Sequence, residues 1–209
     1  MGPIVVAETP PSWVAADVAQ PPLAGTSGAR FTQWEAVRSP DGSAALVRAC
    51  VETPIPGWVP DMRTAVEARA NALAMATAER TSGAQAERRD EGHRPLVRTM
   101  GAPDGSPPIG AAKTFLGFDD HEVATCFAVC TTKSVAHPAS PHPLQPTCES
   151  AVASAHLTGG TNPPKPGLVV GAASWAVHHP VRTAAGSAFA ACVLGVLAVV
   201  VRRKPRSRI

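Results

Sequence analysis

The sequence predicts an α+β fold, an antiparallel sheet with helices packed on it, followed by a single C-terminal transmembrane helix. Three observations predict it. Val123, Thr125, Phe127, Val129 and Thr131 alternate with Ala124, Cys126, Ala128 and Cys130, the period of a strand with one bulky face and one small face, both covered. Strand-length apolar runs flank turn sequences at Ser39-Pro40-Asp41-Gly42 and at Asp119-Asp120. Residues 184–201 carry no charge and end against five basic residues.

Residues 1–30 hold Pro3, Pro10, Pro11, Pro21 and Pro22 with little periodicity, and read as a flexible N-terminal arm. The α+β domain is placed at 31–158. Its first unit is a hairpin, 31–38 and 43–52, across a turn in which proline presets φ, Asp41 bonds its own backbone and Gly42 takes positive φ. A Pro-rich connection at Pro54–Trp58 leads to a helix over Pro60–Glu79, with Met62, Val66, Leu73 and Ala76 at helical spacing. Residues 80–92 read as polar and solvated, with Glu87–Glu91 able to prolong the helix. A strand at Pro95–Met100 follows, then a turn at Pro103–Ser106 and a second hairpin, Gly110–Phe118 and His121–Thr132. After a Pro/His loop at 133–146, a helix is expected over Thr147–Leu157, with Thr147 as N-cap and Glu149 near the positive helix end. Cys148, Val152 and Ala155 share its inner face. The run 159–183 reads as a Pro/Gly-rich linker and juxtamembrane segment, in which 168–177 is apolar but too short to span a bilayer and Trp175 suits the membrane interface.

Outside the membrane segment there are four cysteines, Cys50, Cys126, Cys130 and Cys148. An even count in a small domain outside the cytoplasm points to two disulfides, with three connectivities open; in a cytosolic domain the same residues would be buried thiols. A bridge from Cys148 to Cys126 or Cys130 would pin the last helix onto the small-residue face. The net charge of +3 is a property of the tail. Without Arg182 and the five tail charges, residues 1–181 hold 13 Lys+Arg against 16 Asp+Glu, so the folded part is mildly acidic and nucleic acid is not an expected partner.

The order of hairpin, helix, antiparallel strands and closing helix resembles the PsbP/Mog1-like small α/β/α sandwich domains. The likeness covers roughly residues 31–158 and rests on the turns at Pro40-Asp41-Gly42 and Asp119-Asp120 and on the closing helix Cys148–Leu157. It implies a non-enzymatic binding or assembly role and carries over no functional residues.

No catalytic, cofactor or metal residues are assigned. Cys126 and Cys130 are four strand residues apart, about 13 Å, whereas zinc needs every ligand within about 2.3 Å. His137, His142, His178 and His179 read as loop or juxtamembrane histidines, not as metal ligands. Asp119, Asp120, His121 and Glu122 read as a charged turn. Gly-x-Ser-x-Gly, His-Glu-x-x-His and a phosphate-cradling Gly-rich loop ending in Lys are absent from the sequence.

A helix over 184–201 spans roughly 27 Å, close to a hydrocarbon core of about 30 Å. Arg202, Arg203, Lys204, Arg206 and Arg208 follow it, and the positive-inside rule places this tail in the cytoplasm and the domain outside. Export without a visible signal sequence leaves three readings: an upstream start, a non-standard route, or a tail-anchored protein whose domain faces the cytosol as an adaptor. A cleaved C-terminal sorting signal has the same outline. Ser187, Ala191 and Gly195 form a row of small residues that lets two helices approach, the basis for an expected homodimer. The partners expected are therefore the lipid bilayer, an unidentified protein or small molecule, and a second copy. The functional reading is a single-pass, non-enzymatic binding or assembly domain facing away from the cytoplasm.

Overall fold

The computed structural model describes residues 2–23, 27–55, 57–103, 105–119, 121–133, 140–160, 162–166 and 168–179. Its elements run in chain order: β1 Ile4–Val6, β2 Val14–Ala15, β3 Arg30–Arg38, β4 Ala44–Pro54, α1 Met62–Ser82, β5 Ala86–Glu91, β6 Arg94–Thr99, β7 Gly110–Asp119, β8 Glu122–Thr132, α2 Gln145–Ser154, β9 His156–Thr158 and α3 Leu168–His178. Residues 1–165 form one compact unit and 166–209 a second.

The first unit is built on a seven-stranded antiparallel sheet in the order β2-β3-β4-β8-β7-β6-β5, with a separate pair β1-β9. The expected α+β class is therefore the observed one. The central strand β8 is covered on both faces, as its alternation predicts. Phe127 and Val129 meet Leu73, Ala74 and Ala78 of α1, with Val97 and Ala49 from the sheet. The small face, Ala124, Cys126, Ala128 and Cys130, lies beneath Val5 of β1 and beneath Cys148, Ala151 and Val152 of α2. A bulky strand face requires a slim helix. The buried residues of α1 are accordingly Ala70, Leu73, Ala74, Thr77, Ala78 and Ser82, while the expected stripe residues Met62, Val66 and Ala76 are only partly covered. Gly83, at φ 78°, closes α1 by donating its N–H to the Glu79 carbonyl.

The turn at residues 39–43 forms as its residues dictate. Asp41 accepts from Ser39 Oγ, Ser43 Oγ and the Ser43 N–H, and these bonds hold its carboxyl well below the usual carboxylate range.

Several expectations are corrected. The described part of the expected arm, residues 2–23 and 27–30, is not loose: β1 pairs with β9 and β2 with β3, and Val5 is buried. The side chain of Gln33 makes this possible, accepting from the Val5 N–H at 2.8 Å and donating to the Val5 carbonyl at 2.9 Å, so it stands in for a strand backbone. Glu87–Glu91 belong to strand β5, not to a prolonged helix. Gly92 and His93, at φ 52° and 69°, form the two-residue turn to β6, and two positive φ angles suit a hairpin. The closing helix starts at Gln145 with Pro146 in its first turn, so Thr147 is not its N-cap. It ends at Ser154, and His156–Thr158 turn back as a strand.

In the second unit α3 is an 11-residue helix within the expected juxtamembrane segment, with Trp175 half-exposed and its ring against His179. Among the described residues no helix is long and apolar enough to cross a membrane. The expected transmembrane segment 184–201, its small-residue row Ser187, Ala191 and Gly195, and the basic tail Arg202–Arg208 lie outside the described residues.

Candidate functional site

All four domain cysteines are paired, Cys50 with Cys126 and Cys130 with Cys148, and all four are fully buried. The first bridge joins residues that face each other in the β4–β8 register. His121 O accepts from the Ile55 N–H and the Lys133 N–H donates to Ser43, so the odd residues of β8 turn their backbone to β4. Cys50 and Cys126 thus occupy a non-hydrogen-bonded position, where side chains are closest; their Cα atoms are 4.1 Å apart. The second bridge pins α2 onto the small face, one of the two options the sequence left open. Cys126 and Cys130 go to different partners, and their side chains serve the scaffold.

A groove of about 1050 Å³ opens on this scaffold between the β5–β6 hairpin, β7 and α2. Its origin is a divergence of strands. β6 pairs with β7 at only two positions, Leu96 with Ala111 and Val97 with Gly110, whereas β7 pairs with β8 along its whole length. The residue after the last pair is Pro95, which has no N–H to continue the ladder. From there the hairpin leaves the sheet, and α2 forms the opposite wall.

The floor is apolar, with Leu96, Ala111 and Val152, and the rim is charged. Arg94 reaches from the hairpin to Glu149 on α2, which also accepts from Gln145. Arg88 spans the gap between strands: its guanidinium lies 3.2 Å from Asp90, donates to Thr114 Oγ1 of β7 at 3.2 Å and bonds Asn71 of α1. Lys113 donates to the Ala155 carbonyl at 2.7 Å and so caps the C-terminal end of α2. Three cations thus stand around the groove of a mildly acidic domain, and both rim carboxylates are engaged by arginines. This arrangement can hold a ligand with an apolar body and negative groups.

A second cluster lies at the far end of the sheet. Glu52 is buried beside Glu122, and Arg30 bonds both, at 2.9 Å to Glu52 and 2.7 Å to Glu122. Burial, then the neighbouring Glu122, pushes the Glu52 carboxyl up, whereas the hydrogen bond from Arg30 holds Glu122 down. The side chains of Glu52 and Asp119 close over Gly2, where a Cβ would lie 2.6 Å from Glu52 Oε1. The cluster thus lies beside the N-terminal segment of the domain.

The expected charged turn brings Asp119 and Glu122 into this cluster, while Asp120 lies outside the described residues. His142 accepts the Leu144 N–H ahead of α2, and His137 lies outside the described residues. The groove residues Arg88, Arg94 and Lys113 were not singled out by sequence reasoning, and Glu149 was named only for its place near the start of the closing helix. The available signal was Gly92-His93 flanked by two runs of equal length, a hairpin pattern masked by the helix-forming charges of Glu87–Glu91. Comparison with protein-family models, curated proteins and solved structures finds no match.

Proposed function

We propose that this chain is a membrane-anchored binding domain, tethered by a single span at 184–201 and facing away from the cytoplasm, with the groove between the β5–β6 hairpin and α2 as its ligand surface. The observation that carries this reading is the complete pairing of the domain cysteines. Disulfides persist in oxidising compartments and are rare in the cytosol, and the positive-inside orientation of the basic tail points the same way. The groove supports binding over catalysis, since its rim carboxylates are tied to Arg88 and Arg94. The placement of α1 and α2 on opposite faces of an antiparallel sheet supports a PsbP/Mog1-like reading of the domain.

Protease treatment of intact cells, with any outer membrane opened, tests the topology. Digestion of residues 1–183 there, with thiols that label only after reduction, is the expected result. Protection in cells with digestion in inside-out vesicles, and thiols that label directly, would favour the tail-anchored cytosolic adaptor instead.

A further inference from the structure

The divergence that makes the groove also leaves part of the β7 edge without a strand partner among the described residues. Thr132 donates its N–H to Ile109, and Lys133 donates to Ser43, so the even residues of β8 turn their backbone toward β7. The register pairs Ala128 with Lys113 and Cys126 with Phe115, which places Lys113 and Phe115 at hydrogen-bonded positions with β8. Ala112, Thr114 and Leu116 therefore turn their N–H and C=O groups the other way; Ala112 is fully buried, and Thr114 and Leu116 face the space β6 has left. Two cavities front this edge. The main groove takes in Ala111 and Lys113; a second, of about 390 Å³, takes in Thr114, Phe115 and Leu116 against α1. Arg88 lines both, so they are two sides of one split in the sheet.

We propose that the edge of β7 from Lys113 to Leu116 binds an extended peptide of another protein, added as a strand in the split and carrying acidic side chains. The proposal rests on the binding-domain reading above and names its ligand class. Strand addition draws its affinity from main-chain hydrogen bonds and its specificity from alternate side chains. Here two outward residues, Thr114 and Leu116, offer main-chain partners on a stretch of about 13 Å of strand. Arg88, Arg94 and Lys113 supply positive charge beside them, in a domain that is otherwise mildly acidic. A second copy of this chain fits less well: antiparallel pairing of two β7 edges would bring the same three cations together from both sides, and like charges across an edge oppose pairing.

The test uses the full chain in detergent micelles and a random linear peptide library displayed on phage. Enriched peptides should be free of proline in the bound stretch and carry Asp or Glu at alternate positions. A selected peptide should slow amide exchange at Thr114 and Leu116 and leave the exchange of Lys113 and Phe115 unchanged. Arg94→Ala, at an exposed side chain, should weaken binding about tenfold. N-methylation of the alternate peptide amides that face β7 should abolish binding, while methylation of the interleaved set should spare it. That asymmetry is expected of a strand and not of a peptide held by its charges alone.

Enrichment of neutral or basic peptides, or of none, overturns the proposal. So does equal tolerance of both N-methylation patterns. Protection at other residues would leave the binding-domain reading in place and remove strand addition. A dimer of the full chain that Leu116→Pro converts to monomer would assign the edge to a second copy, also against the proposal. The protease experiment reports on the tether independently of all these outcomes.

Discussion

Removing the bridge Cys50–Cys126 should cost the domain more than removing Cys130–Cys148, and the difference can be worked from the chain. The first bridge joins residues 76 apart in sequence and the second residues 18 apart. The two loops follow one another without overlapping, so each removes freedom from the unfolded chain independently. The chain-entropy relation gives about 4.5 kcal/mol for the longer loop and about 3.2 kcal/mol for the shorter. Against a typical domain stability of about 5–15 kcal/mol, loss of both would leave a marginal fold. The variants are Cys50→Ala with Cys126→Ala, and Cys130→Ala with Cys148→Ala. All four side chains are fully buried, so both variants lose the same sulfur atoms from the interior and the difference isolates loop length. Equilibrium urea unfolding of the full chain in detergent micelles, followed by tryptophan fluorescence, is a suitable assay. Trp34 packs edge-on against Phe31 and Phe127, and its indole N–H donates to the Val18 carbonyl at 2.7 Å, so it reports on the main core. The expected result is two destabilised variants, the Cys50–Cys126 one lower by about 1 kcal/mol. Equal costs, or the reverse order, would refute the entropic reasoning and place the effect of the bridges in native packing.

Stability should also depend on pH through Glu52 and Glu122. Glu52 is raised by burial, so its contribution is present at low pH and lost as pH rises through the raised value; Glu122 is lowered by Arg30, so its contribution is lost as pH falls. Melting temperature should peak on the acid side of neutrality, and Glu52→Gln should flatten the high-pH arm alone; an unchanged slope in that variant would sink the assignment. Gly110→Ala should destabilise by about 1–3 kcal/mol, because its Cβ would lie 2.2 Å from the Cys130 carbonyl oxygen, a backbone atom that cannot swing away. A wild-type thermal melt for that variant would show the approach to be looser than described. Gln33→Leu removes both side-chain bonds to Val5 and should speed amide exchange at residues 4–6 while β4 and β8 stay protected; unchanged exchange would mean that β1 is held by β9 alone.

Elements with local causes were legible in the sequence. The β3–β4 hairpin follows from a turn that Pro40, Asp41 and Gly42 build from their own bonds, and β8 follows from strict alternation. The α1 helix follows from alanine-rich propensity, and cysteine parity foretold two bridges. Elements whose causes lie far along the chain were not legible. β1 is three residues long and forms because it finds β9 about 150 residues later and the amide of Gln33 between them. β5 is made of residues that favour a helix, and it is a strand because β6 supplies its hydrogen bonds. The choice of Cys130 over Cys126 as the partner of Cys148 depended on where α2 comes down on the sheet. The groove is more remote still. Pro95 marks in sequence where a ladder must stop, but an opening arises only because β7 continues past that point and α2 stands across from it. Local chemistry decides which short segments can form, since their bonds close within a few residues; long-range pairing decides which of them meet, and the candidate site exists only where they diverge.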